Sequence, residues 1–134
     1  MRKVAVRGLS LVCLVAYTAF LFWMATRPGR ELLWLERYLD KVLHVGAFFV
    51  TGVIGVWAMG YPGLSPRKCA RRGFWVVAYA FLTGGLIELA QRHVPGRSCE
   101  RADLIADLVG TSAAVFLAVS ILRRRERLRN ASHS

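Results

Sequence analysis

Three ionisable residues stand inside otherwise apolar stretches of this chain, and their types and spacing are the first sign of chemistry: His44, Glu88 and Asp107. An imidazole beside carboxylates can move a proton, hold a cation or accept hydrogen bonds from a polar ligand. At membrane depth such groups cost several kcal/mol unless paired or hydrated, which makes each a functional candidate whose bland counterpart is structural pairing. Each lies about one helical turn, on the order of 5 Å, from the end of its apolar stretch. More polar groups crowd the same rim. Asp40 and Lys41 precede His44, Gln91 and Arg92 follow Glu88, and Asp103 stands one turn before Asp107. Between them, Pro95-Gly96 supplies a turn that can swing Arg97 back over the helix ends, toward Glu88, Asp107 or an anionic head group. The candidate ligand-binding set is therefore Asp40, Lys41, His44, Glu88, Gln91, Arg97, Asp103 and Asp107, with His44, Glu88 and Asp107 the candidates for catalysis.

Helical spacing gives these groups a direction. His44 aligns with Ala47, Thr51 and Gly55; Glu88 with Gly84 and Ala80; Asp107 with Gly110, Ala114 and Ala118. Small residues mark where membrane helices approach closely, so each polar group tops a stripe that faces a neighbouring helix. The same stripes would serve contacts between chains, which leaves a homo-oligomer open.

The elements that must position these residues are apolar blocks at 8–26, 42–60, 74–91 and 104–122. Each is close to the roughly 20 residues that span a hydrocarbon core. The expected fold is all-α: a polytopic four-transmembrane-helix bundle forming a single domain over 1–134, with a basic, solvated and disordered tail at 123–134. Residues 31–39 alternate Leu, Trp and Tyr with Glu and Arg, which suits a short helix lying in the outer interface, either separate or running straight into the second span. The first block also has the basic start of a signal peptide, but Phe22, Trp23 and Met24 occupy the place of a small-x-small cleavage site.

The chain carries a formal charge of +11 from 19 Lys and Arg against 8 Asp and Glu. These cations sit at block ends rather than on one soluble basic face, which argues against nucleic acid. Arg2, Lys3 and Arg7, then Arg67, Lys68, Arg71 and Arg72 in the second loop, then Arg123, Arg124, Arg125, Arg127 and Arg129 share one side. By the positive-inside rule that side is cytoplasmic, with both termini, and it meets anionic membrane lipids there. The polar rim then faces outward. Trp23 and Trp34 belong to the outer interface, Trp57 and Trp75 to the inner one. Cys69 and Cys99 fall on opposite sides and cannot pair within one chain.

Asp40-Lys41-x-x-His44 with Phe48, Glu88-x-x-Gln91, Pro95-Gly96-Arg97, and Asp103 with Gly110 resemble, in that order, the VanZ-like membrane proteins over roughly residues 36–118. The position of Asp107 is commonly Asn in that family, and Ala114 stands where a second Gly is frequent. The resemblance implies a small multi-helix protein of a bacterial plasma membrane with a role at the cell envelope, akin to glycopeptide (teicoplanin) resistance.

Function is then weighed between classes. A binding protein would use Arg97 and Lys41 to meet the anionic groups of a lipid-linked cell-wall intermediate, a lipid head group or a glycopeptide. An enzyme would use His44 as general base with Glu88 or Asp107 orienting it, yet the chain has no G-x-S-x-G, H-E-x-x-H or C-x-x-C motif. A metal held by His44, Glu88, Asp107 and His93 has no recognised ligand spacing, so no metal and no cofactor is expected. A transporter fits worst, because the cluster is not at the midplane and no internal repeat appears. A purely structural polar network between helices completes the set.

Overall fold

The computed structural model of the protein describes residues 2–28, 34–60, 64–97 and 100–131. It consists of α1 (Arg2–Ala25), α2 (Trp34–Ala58), α3 (Pro66–Gln91) and α4 (Arg101–Ala131). All four are long and apolar enough to cross a membrane, which makes this a multi-pass membrane protein in design.

Punctuation in the chain sets where the helices begin and turn. Ser65 is extended (φ −67°, ψ 152°) and Pro66 opens α3, a position where the missing N–H of proline costs nothing. At the far end of α3 the chain leaves through turn bonds from His93 N–H to the Ala90 carbonyl and from Arg97 N–H to the Val94 carbonyl. Gly96 there adopts φ +72°, a left-handed conformation that glycine takes without steric cost.

All four helices run past the charged ends of their apolar blocks, α1 taking in Arg2, Lys3 and Arg7. Arg67, Lys68, Arg71 and Arg72, expected in the second loop, form the first turns of α3, and the segment expected as a disordered tail is helical as far as Ala131. Arginine and lysine are good helix formers, and at the end of α4 their charge also complements the helix dipole. The expected interfacial helix is no separate element from Trp34 onward, where it forms the first turns of α2; its start at 31–33 lies outside the described residues.

Packing is inverted relative to a water-soluble bundle. Large apolar side chains point outward, among them Leu82, Leu86, Val109 and Phe116, whereas Ala80, Thr51, Thr83, Thr111 and Ala114 are buried. Such small inward residues let helix backbones meet, the source of stability where lipid offers no hydrophobic drive. α2 sits at the centre and contacts α1, α3 and α4. Its tightest contact is with α4: a Cβ at Gly110 would collide with the Val45 carbonyl oxygen and approach the Phe49 nitrogen, and one at Gly52 would lie 2.7 Å from the Ala114 Cβ. Thr111 Oγ1 donates to the Phe48 carbonyl across the same seam at 3.1 Å.

α1 is peripheral. It docks through Tyr17 Oη, which donates to the Ala47 carbonyl at 3.2 Å, through a 2.5 Å hydroxyl contact between Thr18 and Tyr79, and through Leu21, Phe22 and Ala25 packed on Phe48, Ala80 and Ile87.

Two ends result. One gathers the start of α1, the end of α2, the start of α3 and the end of α4, with Val56, buried Cys69 and Val119 as its core. Here Arg72 donates to the Met59 carbonyl, and Trp57 and Trp75 are exposed. The other end holds Trp23, with the Arg27 guanidinium 3.8 Å above its ring, and the polar residues described next. Cys13 is exposed and Cys69 buried, with no disulfide between them; Cys99 lies outside the described residues.

The seam predicts the effect of filling it. Gly110→Val should lower the stability of detergent-purified protein by about 1–3 kcal/mol or more, the usual cost of overpacking. Gly46→Ala, where an added Cβ meets nothing within 4 Å, should leave the melting temperature nearly unchanged. Equal effects of the two would refute the close-approach account.

Candidate functional site

α2, α3 and α4 bring seven of the eight candidate side chains to one end of the bundle, plus one residue that sequence reasoning passed over. Asp40, Lys41 and His44 occupy neighbouring positions on α2. Glu88 and Gln91 lie in the last turn of α3, and Asp103 and Asp107 in the first two turns of α4.

The centre of the cluster is a pair. His44 Nδ1 lies 2.8 Å from Asp107 Oδ1, and the Asp107 side chain is 0% exposed. A carboxylate in that place accepts the Nδ1 proton, fixes the ring and leaves Nε2 as the nitrogen able to take a proton or bind a ligand. Nε2 has no hydrogen-bond partner among the described residues. The second Asp107 oxygen, Oδ2, also lacks a donor among them. It presses on α3 at Gly84, where a Cβ would stand 2.6 Å away, so this glycine admits the carboxylate between the helices.

Toward the rim, Lys41 Nζ bonds Glu100 Oε2 at 2.7 Å and Asp103 Oδ1 at 3.1 Å. Glu88, nearly fully buried, accepts the Glu100 backbone N–H at 3.0 Å through Oε2. A carboxylate from α3 thereby sits at the start of α4, where the helix dipole favours negative charge. Gln91 is buried as well, and its Oε1 has no donor among the described residues. Asp40 is half-buried and forms no hydrogen bond or ion pair among the described residues.

Glu100 is the residue that the sequence did not single out. Its signal was its place three residues before Asp103, where an acid at a helix start is well placed electrostatically. What hid it was its position outside the apolar block.

Two of the candidate cations have partners within the chain. Lys41 was expected to meet a ligand's anionic groups, but two carboxylates already hold its ammonium. Arg97, expected to turn toward Glu88, Asp107 or an anionic head group, is bonded to neither carboxylate; its Nε donates to the Arg27 carbonyl at 3.3 Å, tying the turn after α3 to the end of α1. His93 is exposed, and its Nδ1 lies 3.3 Å from the Leu89 carbonyl oxygen, apart from the cluster.

The arrangement is thus rich in acceptors. Asp40, Asp103 and Asp107 share one ammonium, that of Lys41, and one imidazole among the described residues. Chemically, this end suits proton acceptance, hydrogen bonding to hydroxyl or amine donors, and cation binding better than direct binding of an anion.

Burial should grade the two side-chain pairs. In double-mutant cycles on detergent-solubilised protein, His44 and Asp107 should couple by about 1 kcal/mol, within the range of interhelical bonds in membrane proteins. The Lys41–Glu100 pair, with both side chains about a third exposed, should couple more weakly and lose that coupling in high salt. A salt-insensitive Lys41–Glu100 coupling larger than that of His44 and Asp107 would contradict this ranking.

No protein-family model, curated protein or solved structure matches the chain.

Proposed function

We propose that this chain is a VanZ-like protein of the bacterial plasma membrane, with both termini cytoplasmic, whose outward end binds a polar component of the cell envelope. The buried His44–Asp107 pair, ringed by further acceptors, is the observation that carries the reading. Lipid and helix packing do not need an imidazole with an open Nε2 or a buried carboxylate oxygen without a donor, and such groups gain most from a ligand that supplies hydroxyl or amine protons. Sugars and peptide amines do so. Lipid-linked cell-wall intermediates and glycopeptides both carry them, and a teicoplanin-resistance-like role in relatives of this kind fits either.

The orientation is supported by charge. Arg7, Arg67, Lys68, Arg71, Arg72 and the arginines of 123–129 all gather at the end opposite the cluster, as the positive-inside rule asks of a cytoplasmic face. A fluorescent protein fused after Ser134 should therefore fold and fluoresce in cells, and alkaline phosphatase at the same point should stay inactive. The reverse pattern would turn the cluster toward the cytoplasm.

A second reading draws on the same pair: an enzyme in which Asp107 orients His44 and Nε2 acts as general base on the bound component. The competing structural account, helix locking alone, is favoured by the Lys41 bridge to Glu100 and Asp103. Drug susceptibility in a glycopeptide-sensitive host separates a working site from a lock. Wild type should protect, and His44→Ala, Glu88→Ala and Asp107→Asn should fail to protect at wild-type membrane levels. Lys41→Ala, which removes a bridge between side chains, should act mainly through protein level. Absence of protection throughout, or protection that follows abundance alone, would leave the cluster a structural lock.

A further inference from the structure

Three potential ligand groups converge on the rim of this cluster from two helices. Asp40, His44 and Asp103 each present one ligand atom, and these atoms lie within 4.8 Å of one another. Asp40 and His44 are four residues apart and share one face of α2; Asp103 comes from the first turn of α4. We propose that Asp40, His44 and Asp103 form a divalent transition-metal site, with Asp107 as the buried carboxylate that orients its histidine.

The Asp107 contact supports the histidine's part in such a site. Histidines that bind metals almost always give their other ring N–H to a carboxylate or carbonyl, which fixes the tautomer and strengthens the ligand nitrogen. Asp107 Oδ1, fully buried and 2.8 Å from Nδ1, stands in that place and leaves Nε2 for the ion. Charge balance points the same way. Asp40, Asp103 and Asp107 are three carboxylates at an end where Lys41 is the one ammonium bonded to any of them among the described residues. With His44 neutral, a divalent ion offsets the remaining negative charge. Lys41 does not block the site, because it binds Asp103 through Oδ1 alone and keeps Glu100 as a second partner. The other Asp103 oxygen is left for the ion.

Ligand softness narrows the ion. Two carboxylates and one imidazole form a mixed set: the imidazole suits first-row transition ions and the carboxylates suit harder ones, so Zn2+ and Mn2+ match it better than Ca2+. Three protein groups are supplied among the described residues, which leaves coordination positions for water or for oxygens of a bound molecule. Such an ion would give this acceptor-rich end a means of holding phosphate or carboxylate groups that its own side chains lack. The inference concerns the same end of the bundle as the proposed function but does not need it, since metal is read directly on purified protein.

The test is titration of chelator-stripped, detergent-purified protein with Zn2+ by calorimetry and with Mn2+ by electron paramagnetic resonance, using Ca2+ as comparison. Wild type should bind one equivalent of Zn2+ or Mn2+ and bind Ca2+ at least tenfold more weakly. Asp40→Asn removes a ligand that has no partner among the described residues, so it should keep the wild-type melting temperature and weaken binding at least tenfold. His44→Gln and Asp103→Asn should weaken binding as much but also lower the melting temperature, because each disturbs a side-chain pair. Asp107→Asn should weaken binding about 10- to 100-fold, as expected for loss of an orienting carboxylate, and His93→Asn should change nothing. The proposal is overturned if wild type binds neither ion, if Asp40→Asn with intact folding binds as wild type does, or if Ca2+ binds equally well.

Discussion

The contact on which the rest of the molecule turns is the approach of α2 and α4 at Gly110. At that point backbone meets backbone, and a single methyl group would drive into the Val45 carbonyl oxygen. His44 immediately precedes Val45, and Asp107 lies one turn before Gly110, so the same closeness that packs the helices sets the imidazole against the carboxylate. Had α4 carried a larger residue there, the pair would stand apart and each partner would face the full cost of an isolated polar group in a hydrocarbon environment. The functional cluster is thus a direct product of a packing constraint rather than an addition to it.

Much of this was legible in the sequence because it depends on spacing. The four apolar blocks gave the helices, and the stripes beneath His44, Glu88 and Asp107 gave the inward faces: Thr51, Gly55, Ala80, Gly84, Gly110 and Ala114 are all buried. What spacing cannot give is the partner of each group. His44 is four residues from Asp40 on its own helix, yet its bond is to Asp107 across the seam. Lys41 reaches over to Glu100, a residue outside every apolar block. Arg97 illustrates another limit, since a turn at Pro95-Gly96 allows several destinations and the one taken is a backbone carbonyl just past α1. Helix ends were misplaced for a related reason. Hydropathy reports where lipid ends, whereas Pro66 and the arginines after Leu122 determine where the helical backbone ends, and the two need not coincide.

Polarity is distributed unequally among the helices. α1 adds hydroxyl contacts from Tyr17 and Thr18 and an apolar patch, and no charged side chain of it enters the cluster among the described residues. The three remaining helices supply the chemistry and bury it with small residues, while their large apolar side chains face outward. Charge follows the long axis: acids concentrate at one end, arginines and lysines at the other, although the chain as a whole is strongly basic. A molecule polarised in this way presents different partners to each side of whatever membrane it occupies.

The peripheral docking of α1 and the separation of His44 from Asp107 by the whole of α3 bear on how the protein is made. In chain order, α2 arrives with its imidazole, which does not meet Asp107 until α4 is in place. A truncated or stalled product that ends before α4 would hold His44 without Asp107, the kind of defect by which cellular surveillance distinguishes unfinished membrane proteins from finished ones. Completion of this chain is therefore marked chemically, by the moment at which Asp107 closes on His44.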